Sequence, residues 1–254
     1  MDLGIAGRSA VVCASSKGLG RACALELARA GARVVINGRN AATAEQTAEA
    51  IRAETGAQVI VVAGDLNQAA VRDALFAACP DPDILVNNNG GPPPRDFEAI
   101  SRDDLLAGLE ANMLTPIALA QRALPGMAAR GFGRVINITS ASVKAPIARL
   151  DVSSGARAGL TAFLASAARK YARHNVTINS IQPGLFDTDR IKHTFTSALD
   201  PEAAKAARAA SIPAQRIGSP EEFGKLCAFL ASAQAGYIVG QNILIDGGAY
   251  PGTF

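Results

Sequence analysis

A chain of 254 residues, 49% hydrophobic and 19% charged, has the composition of a compact domain with a buried core and excludes a disordered chain. The net charge is only +3 and the basic residues form no run or stripe, so no nucleic-acid partner is expected. No window reaches roughly 18 apolar residues, and MDLGIAGRSA lacks the charged start and apolar run of a secretory leader, so a cytoplasmic protein with no membrane partner is expected.

Short β-branched runs alternate with helical patterns along the chain. AVVCA (10–14) predicts the first strand and GLGRACALELARAG (18–31) a helix closed by Gly31. RVVIN (33–37), a polar-faced helix over 41–54, QVIVVAG (58–64), a helix over 68–78 and DILVN (83–87) follow. After the proline-rich loop GGPPPR (90–95) a helix begins near Ser101, where S-R-D-D resembles a capping box. RVINIT (134–139), TINSI (177–181) and NILID (242–246) complete seven strands. Strands this apolar are covered on both faces, and the intervening helices supply the cover. The order predicts one α/β domain over 1–254, a Rossmann-type doubly wound parallel sheet with strand order 3-2-1-4-5-6-7. The four cysteines, Cys13, Cys23, Cys79 and Cys227, form no C-x-x-C pair and read as small core residues; with two histidines in the chain, no metal site is expected.

Between the first strand and helix stands ASSKGLG: Ala14, Ser15, Ser16, Lys17, Gly18, Leu19 and Gly20. Glycines let the backbone approach an anion, and the N–H groups that open the helix point at it. The second strand ends IN-GRN, where an NAD enzyme would place an acid against the ribose 2′-hydroxyl. Arg39 is there instead, Lys17 lies in the turn, and Asn37 and Ser16 could add neutral hydrogen bonds. Two cations suit a 2′-phosphate, so NADP(H) is expected over NAD(H).

Nearly end to end, the chain resembles the short-chain dehydrogenase/reductase family, and its 3-oxoacyl-(acyl-carrier-protein)-reductase-like members in particular. ASSKGLG is similar to the family's T-G-x-x-x-G-x-G turn with Ala14 for the first glycine, and NNNG (87–90) to N-N-A-G with Asn89 for alanine. The resemblance implies that Asp65 and Leu66 of GDL flank the adenine, and that Asn88, Asn89 and Gly90 line the coenzyme. It implies that Asn112 supports a proton-relay water, that Pro183 and Gly184 of QPGLFDT pack at the nicotinamide, and that Thr188 binds its carboxamide. It also implies that GQNILIDGG (240–248) is a closing strand of the kind that joins subunits, so a homo-oligomer, dimer or tetramer, is expected.

The family's tyrosine gives the proton, a serine polarises the carbonyl, and a lysine one turn beyond the tyrosine lowers its pKa and holds the ribose. Here Ser140 takes the serine position, but Ser153 stands for the tyrosine and Arg157 for the lysine. A positioned acid is worth roughly 10²–10⁴ in rate. The candidates to replace it are Lys144, which could point into the cleft, and a water held by Asn112, Ser153 and Arg157. Three readings stay open: an NADP(H)-dependent reductase of a small-molecule carbonyl (or dehydrogenase of the alcohol), a non-catalytic NADP(H)-binding partner or sensor, and an NADPH-dependent reductase of an activated C=C bond. The segment 185–215, the family's usual substrate lid, mixes apolar residues with Arg190, Lys192, Lys205 and Arg208, which suits either an amphipathic lid or an apolar substrate with an anionic group.

Overall fold

Runs of valine and isoleucine extend because branching at Cβ favours the pleated backbone and disfavours the helix. In the computed structural model, which describes residues 1–196 and 198–253, they form seven parallel strands. These are β1 (Ser9–Val12), β2 (Arg33–Gly38), β3 (Val59–Ala63), β4 (Ile84–Asn87), β5 (Gly133–Ile138), β6 (Val176–Pro183) and β7 (Asn242–Ile245). Their order is 3-2-1-4-5-6-7, as the sequence predicts. Val11 pairs with Val35 of β2 and with Leu85 of β4, so β1 lies inside the sheet, and the order of winding reverses between β1 and β4.

Successive side chains of each strand enter opposite layers. Val12, Ile36 and Ile136 pack under α1 (Gly18–Arg29), α2 (Ala41–Thr55) and, far along the chain, α9 (Pro220–Leu230). Val11, Val35 and Val135 pack under α3 (Ala69–Ala78), α5 (Thr115–Ala129) and α6 (Asp151–Tyr171). Each fully buried Leu, Ile or Phe in these layers contributes about 1.5–3 kcal/mol, and all four cysteines are buried and free within them.

The capping box expected at Ser101 is present and opens α4 (Arg102–Leu109). Several helices have no counterpart among the expected elements, and the one that packs most deeply lies late in the chain. It is α9, opened by Ser219, with Pro220 at its first position and Glu222 completing a second capping box. Gly224 lets α9 lie directly on α1, since a Cβ there would stand 2.5 Å from the Ala22 carbonyl oxygen. Two short helices, α7 (Asp189–Phe195) and α8 (Pro201–Ala210), leave the carboxyl edge of the sheet and carry the residues expected to form the lid. No helix among the described residues is long and apolar enough to cross a membrane, and none of their His, Cys, Asp and Glu side chains group to hold a metal ion.

Candidate active site

The first turn is shaped by close approach. Ala14 (φ 43°) and Gly18 (φ 57°) are left-handed, and a Cβ on Gly20 would stand 2.4 Å from the Ala14 carbonyl oxygen. Ser15 and Asn37 turn inward and hold the corner together, contrary to the expectation that Asn37 meets a phosphate. Ser15 Oγ donates to the Val12 carbonyl and accepts from the Asn37 N–H. Asn37 Oδ1 accepts from the Ala14 N–H, and its amide donates to the carbonyls of Val62 and Gly64. These backbone groups are buried and need partners, so the side chains are spent on them. Lys17 and Arg39 are exposed at the same corner, and neither has a side-chain partner among the described residues. Ser16 is half-buried, and the methyl of Thr188 stands 3.5 Å from where a Gly18 Cβ would lie. Past β3, Asp65 Oδ1 accepts from the Asn67 N–H, while the Leu66 side chain sits in the core and leaves only its backbone to meet a ligand.

The loop after β4 is laced by its asparagines. Asn88 donates to the Ala14 carbonyl at 3.1 Å. Asn89, where the family keeps a small alanine, donates to Asn67 Oδ1 and the Ala111 carbonyl and accepts from the Gly90 N–H. Between α4 and α5 the helix widens into a π turn, Glu110–Leu114, a distortion found often at functional sites. Asn112 sits in that turn, 2% exposed, and donates to the Gly90 carbonyl at 3.1 Å. Its Oδ1 is buried with no hydrogen-bond partner. A buried acceptor costs about 1–3 kcal/mol when unmatched, so this atom suits a small donor such as water.

β5 delivers Ser140, which caps a short 3₁₀ turn, its Oγ accepting from the Ser142 N–H at 3.1 Å. The chain then returns into α6, whose first turn carries Ser153. Arg157, one turn on, lies 8% exposed and bridges three elements. Its Nε donates to Ser153 Oγ at 3.2 Å, Nη1 to the Ile138 carbonyl at 2.6 Å and Nη2 to the Asn89 carbonyl at 3.3 Å. Burial, with the charge of Arg190 adding to it, pushes the Arg157 guanidinium down to about 10, which leaves it cationic at neutral pH. Because Ser153 Oγ accepts from Arg157, its own hydrogen is left to donate elsewhere.

These groups converge on one cleft of about 690 Å³. Leu19, Asn88, Asn89, Ser140, Ser153, Arg157, Pro183, Gly184 and Thr188 all line it, although they come from five separate stretches of chain. Lys144 does not. It is exposed, with Nζ 5.7 Å from the Tyr250 ring centroid, because the 3₁₀ turn after Ser140 lifts it to the surface where its ammonium stays hydrated. Lining residues outside the expected site include Ile147 and Leu150 before α6, and Asp246, Ala249 and Tyr250 after β7. The G-G following the last strand was the signal, since it turns the chain back over the sheet's carboxyl edge.

A family profile described as enoyl-(acyl-carrier-protein) reductase matches residues 13–250. The NADPH-dependent reductase BacG of Bacillus subtilis is 36% identical over 253 residues, covering 95% of this chain and 97% of that one. The 3-oxoacyl-(acyl-carrier-protein) reductase FabG of Pseudomonas aeruginosa is 33% identical, covering 98% and 99%. The chain belongs to the short-chain dehydrogenase/reductase family. Among solved structures of that family, the L-sorbose reductase of Gluconobacter frateurii, complexed with NADPH and L-sorbose, superposes with a TM-score of 0.94 at 29% identity, covering 99% of this chain and all of the other. The short-chain reductase YwfH, an NADPH-dependent reductase involved in bacilysin biosynthesis, superposes at 0.92 with 35% identity, covering 97% of this chain and 100% of that one. As a short-chain dehydrogenase/reductase the molecule is an oxidoreductase, and the absence of tyrosine from its α6 entry concerns how the proton moves and not which fold carries the reaction.

Proposed function

We propose that the chain is an NADPH-dependent reductase of small-molecule carbonyl compounds in which two serine hydroxyls, backed by a buried guanidinium, replace the usual phenol at the carbonyl oxygen. The 3.2 Å bond from Arg157 Nε to Ser153 Oγ carries this reading. It fixes Ser153 as a hydrogen-bond donor toward the cleft and puts positive potential behind it, where negative charge develops on the oxygen as the carbonyl is reduced.

The coenzyme fits the residues present. The glycine-formed corner at Gly18 and Gly20 leaves backbone N–H groups clear for a diphosphate, Lys17 and Arg39 answer a 2′-phosphate, and Thr188, Pro183 and Gly184 reach the ring end. When bound, NADPH supplies the hydride. Ser140 and Ser153 hold the carbonyl oxygen. Arg157 keeps Ser153 oriented and ties Asn89 to the end of β5. Ser153 gives its hydroxyl proton to the product oxygen and regains one from a water held by Asn112 Oδ1, which draws in turn on bulk solvent. Lys144 is left out of this path because it faces solvent. The whole of 1–254 works as one coenzyme-binding domain in the cytoplasm, with 185–215 as its lid. It works as a homo-oligomer through the exposed apolar face of α4 and α6.

Steady-state oxidation of NADPH with a panel of aldehydes and ketones tests the reading. Ser140→Ala removes one of two donors to the oxygen and is expected to lower kcat/KM by about 10²–10³ with NADPH affinity unchanged. A Ser140→Ala protein with full activity overturns it.

A further inference from the structure

Three guanidinium groups face the cleft: Arg157 from its floor, Arg190 from α7 and Arg208 from α8. Arg190 reaches the reacting end. A Cβ placed on Gly91 would stand 3.0 Å from its Nη1, 3.3 Å from its Nη2 and 3.6 Å from Ser153 Oγ, so guanidinium and hydroxyl address the same small volume. Its charge is felt by Arg157, whose protonation it opposes.

Among the described residues no carboxylate pairs with any of the three. Neither the Arg190 nor the Arg208 guanidinium has a hydrogen-bond or ion-pair partner there. Asp246 is the one carboxylate on the cleft wall, and its oxygens are taken by the N–H groups of Gly248 and Tyr250. Asp187, at the head of α7, is paired with Lys205 at 3.2 Å. Asp189 opens onto a separate pocket on the far side of the glycine turn, together with Lys17 and Arg21. Cations held in one cleft repel one another, and an anion between them removes that cost. Much of the remaining wall is apolar, with Ile147, Leu150, Leu185, Phe186, Ile191 and Ile212 on it.

We propose that the substrate is an oxo acid, an apolar body whose own carboxylate is gripped by Arg190 and Arg208 with the reducible carbonyl a few bonds away under Ser140 and Ser153. This rests on the reductase reading and adds the substrate class to it. A guanidinium fork matches a carboxylate with two parallel hydrogen bonds, whereas a neutral polyol leaves both charges unanswered. The cleft also admits the coenzyme's ring, and what is left of about 690 Å³ suits a small free acid.

The test uses the full chain saturated with NADP⁺ and two probes, benzoylformate and its methyl ester, titrated by calorimetry. The acid is expected to bind at least about tenfold more tightly than the ester, since a charge-assisted pair is at stake. Arg190→Gln is expected to erase that preference by weakening the acid alone, Arg208→Gln to reduce it, and Arg190→Lys to restore part of it. NADPH affinity, read by coenzyme fluorescence, is expected to stay within about twofold of the parent in each variant. Equal binding of acid and ester by the parent, or of neither, overturns the proposal. So does an Arg190→Gln protein that loses NADPH as much as it loses acid, because Arg190 would then serve the coenzyme's phosphates. A parent chain that binds no NADPH refutes the reductase reading itself, a separate outcome seen before either probe is added.

Discussion

Arg157 shows how a substitution at a catalytic position changes more than one property. Lysine would bring a point charge on a flexible stem. Arginine brings a planar fork, and all three of its nitrogens are engaged, with Ser153, Ile138 and Asn89. Arg157→Met is therefore expected to leave one buried and one half-buried carbonyl short of a donor and to destabilise the fold by about 2–4 kcal/mol, read as a fall in urea midpoint. Activity carries a pH signature as well. With its guanidinium lowered to about 10, Arg157 stays charged through neutrality and loses its proton as pH rises through that value. The kcat/KM profile for carbonyl reduction is expected to be level from about pH 6 to 9 and to fall as pH passes about 10. An Arg157→Lys protein that keeps its level region but loses most of its rate separates geometry from charge. At this scale the sequence was readable wherever glycine or a spacing rule decided the matter, as at Gly20 and at the Ser153–Arg157 interval of one helical turn. It was not readable where burial decided it. Asn37 and Ser15 look like ligand donors on paper and are consumed by orphaned backbone groups, and Lys144 looks like a cleft residue until the turn after Ser140 lifts it out.

The corner made by β1, α1 and the end of β2 is the element on which coenzyme choice rests. A chain can tighten here only if Gly18, Gly20 and Gly38 carry no side chain; a Cβ on Gly38 would stand 2.6 Å from Ser16 Oγ. The corner leaves Arg39 and Lys17 exposed, with no acid where an NAD enzyme would hold the ribose hydroxyls. Removing Arg39 takes one charge-assisted contact from a 2′-phosphate and nothing from a hydroxyl. Arg39→Ala is expected to weaken NADPH about tenfold or more and to leave NADH unchanged, measured as dissociation constants by fluorescence titration. Equal losses for both coenzymes would place Arg39 elsewhere. Strands and most helices were legible because their periods are short and local. α9 went unassigned although S-P-E-E announces its start, because its reason for existing, the groove of α1 some two hundred residues earlier in the chain, is visible only in three dimensions.

Across the whole molecule the strand order follows from the alternation of β-branched runs and helices, since right-handed crossovers leave few ways to wind a parallel sheet. The outer surface was far less legible, because an exposed leucine and a buried one are the same letter. Leu105, Leu106 and Leu109 of α4, Leu114 of the π turn and Phe163 of α6 are 46%, 51%, 37%, 49% and 52% exposed. α4 lies against α6, where Gly108 receives Val152. We propose that these side chains, carried on elements in contact, form a patch that a solitary chain would be expected to bury. A second copy of the chain meeting it across a two-fold axis would present the same leucines to themselves, the usual form of a closed homodimer. Leu106→Glu combined with Phe163→Glu sets like charges on both sides of that axis. The double variant is expected to run as a monomer in light scattering at concentrations where the parent is a dimer or larger, with its circular dichroism unchanged. Should the parent itself measure as a monomer of about 26 kDa, the face has another occupant, and the glutamates would then change only its solubility.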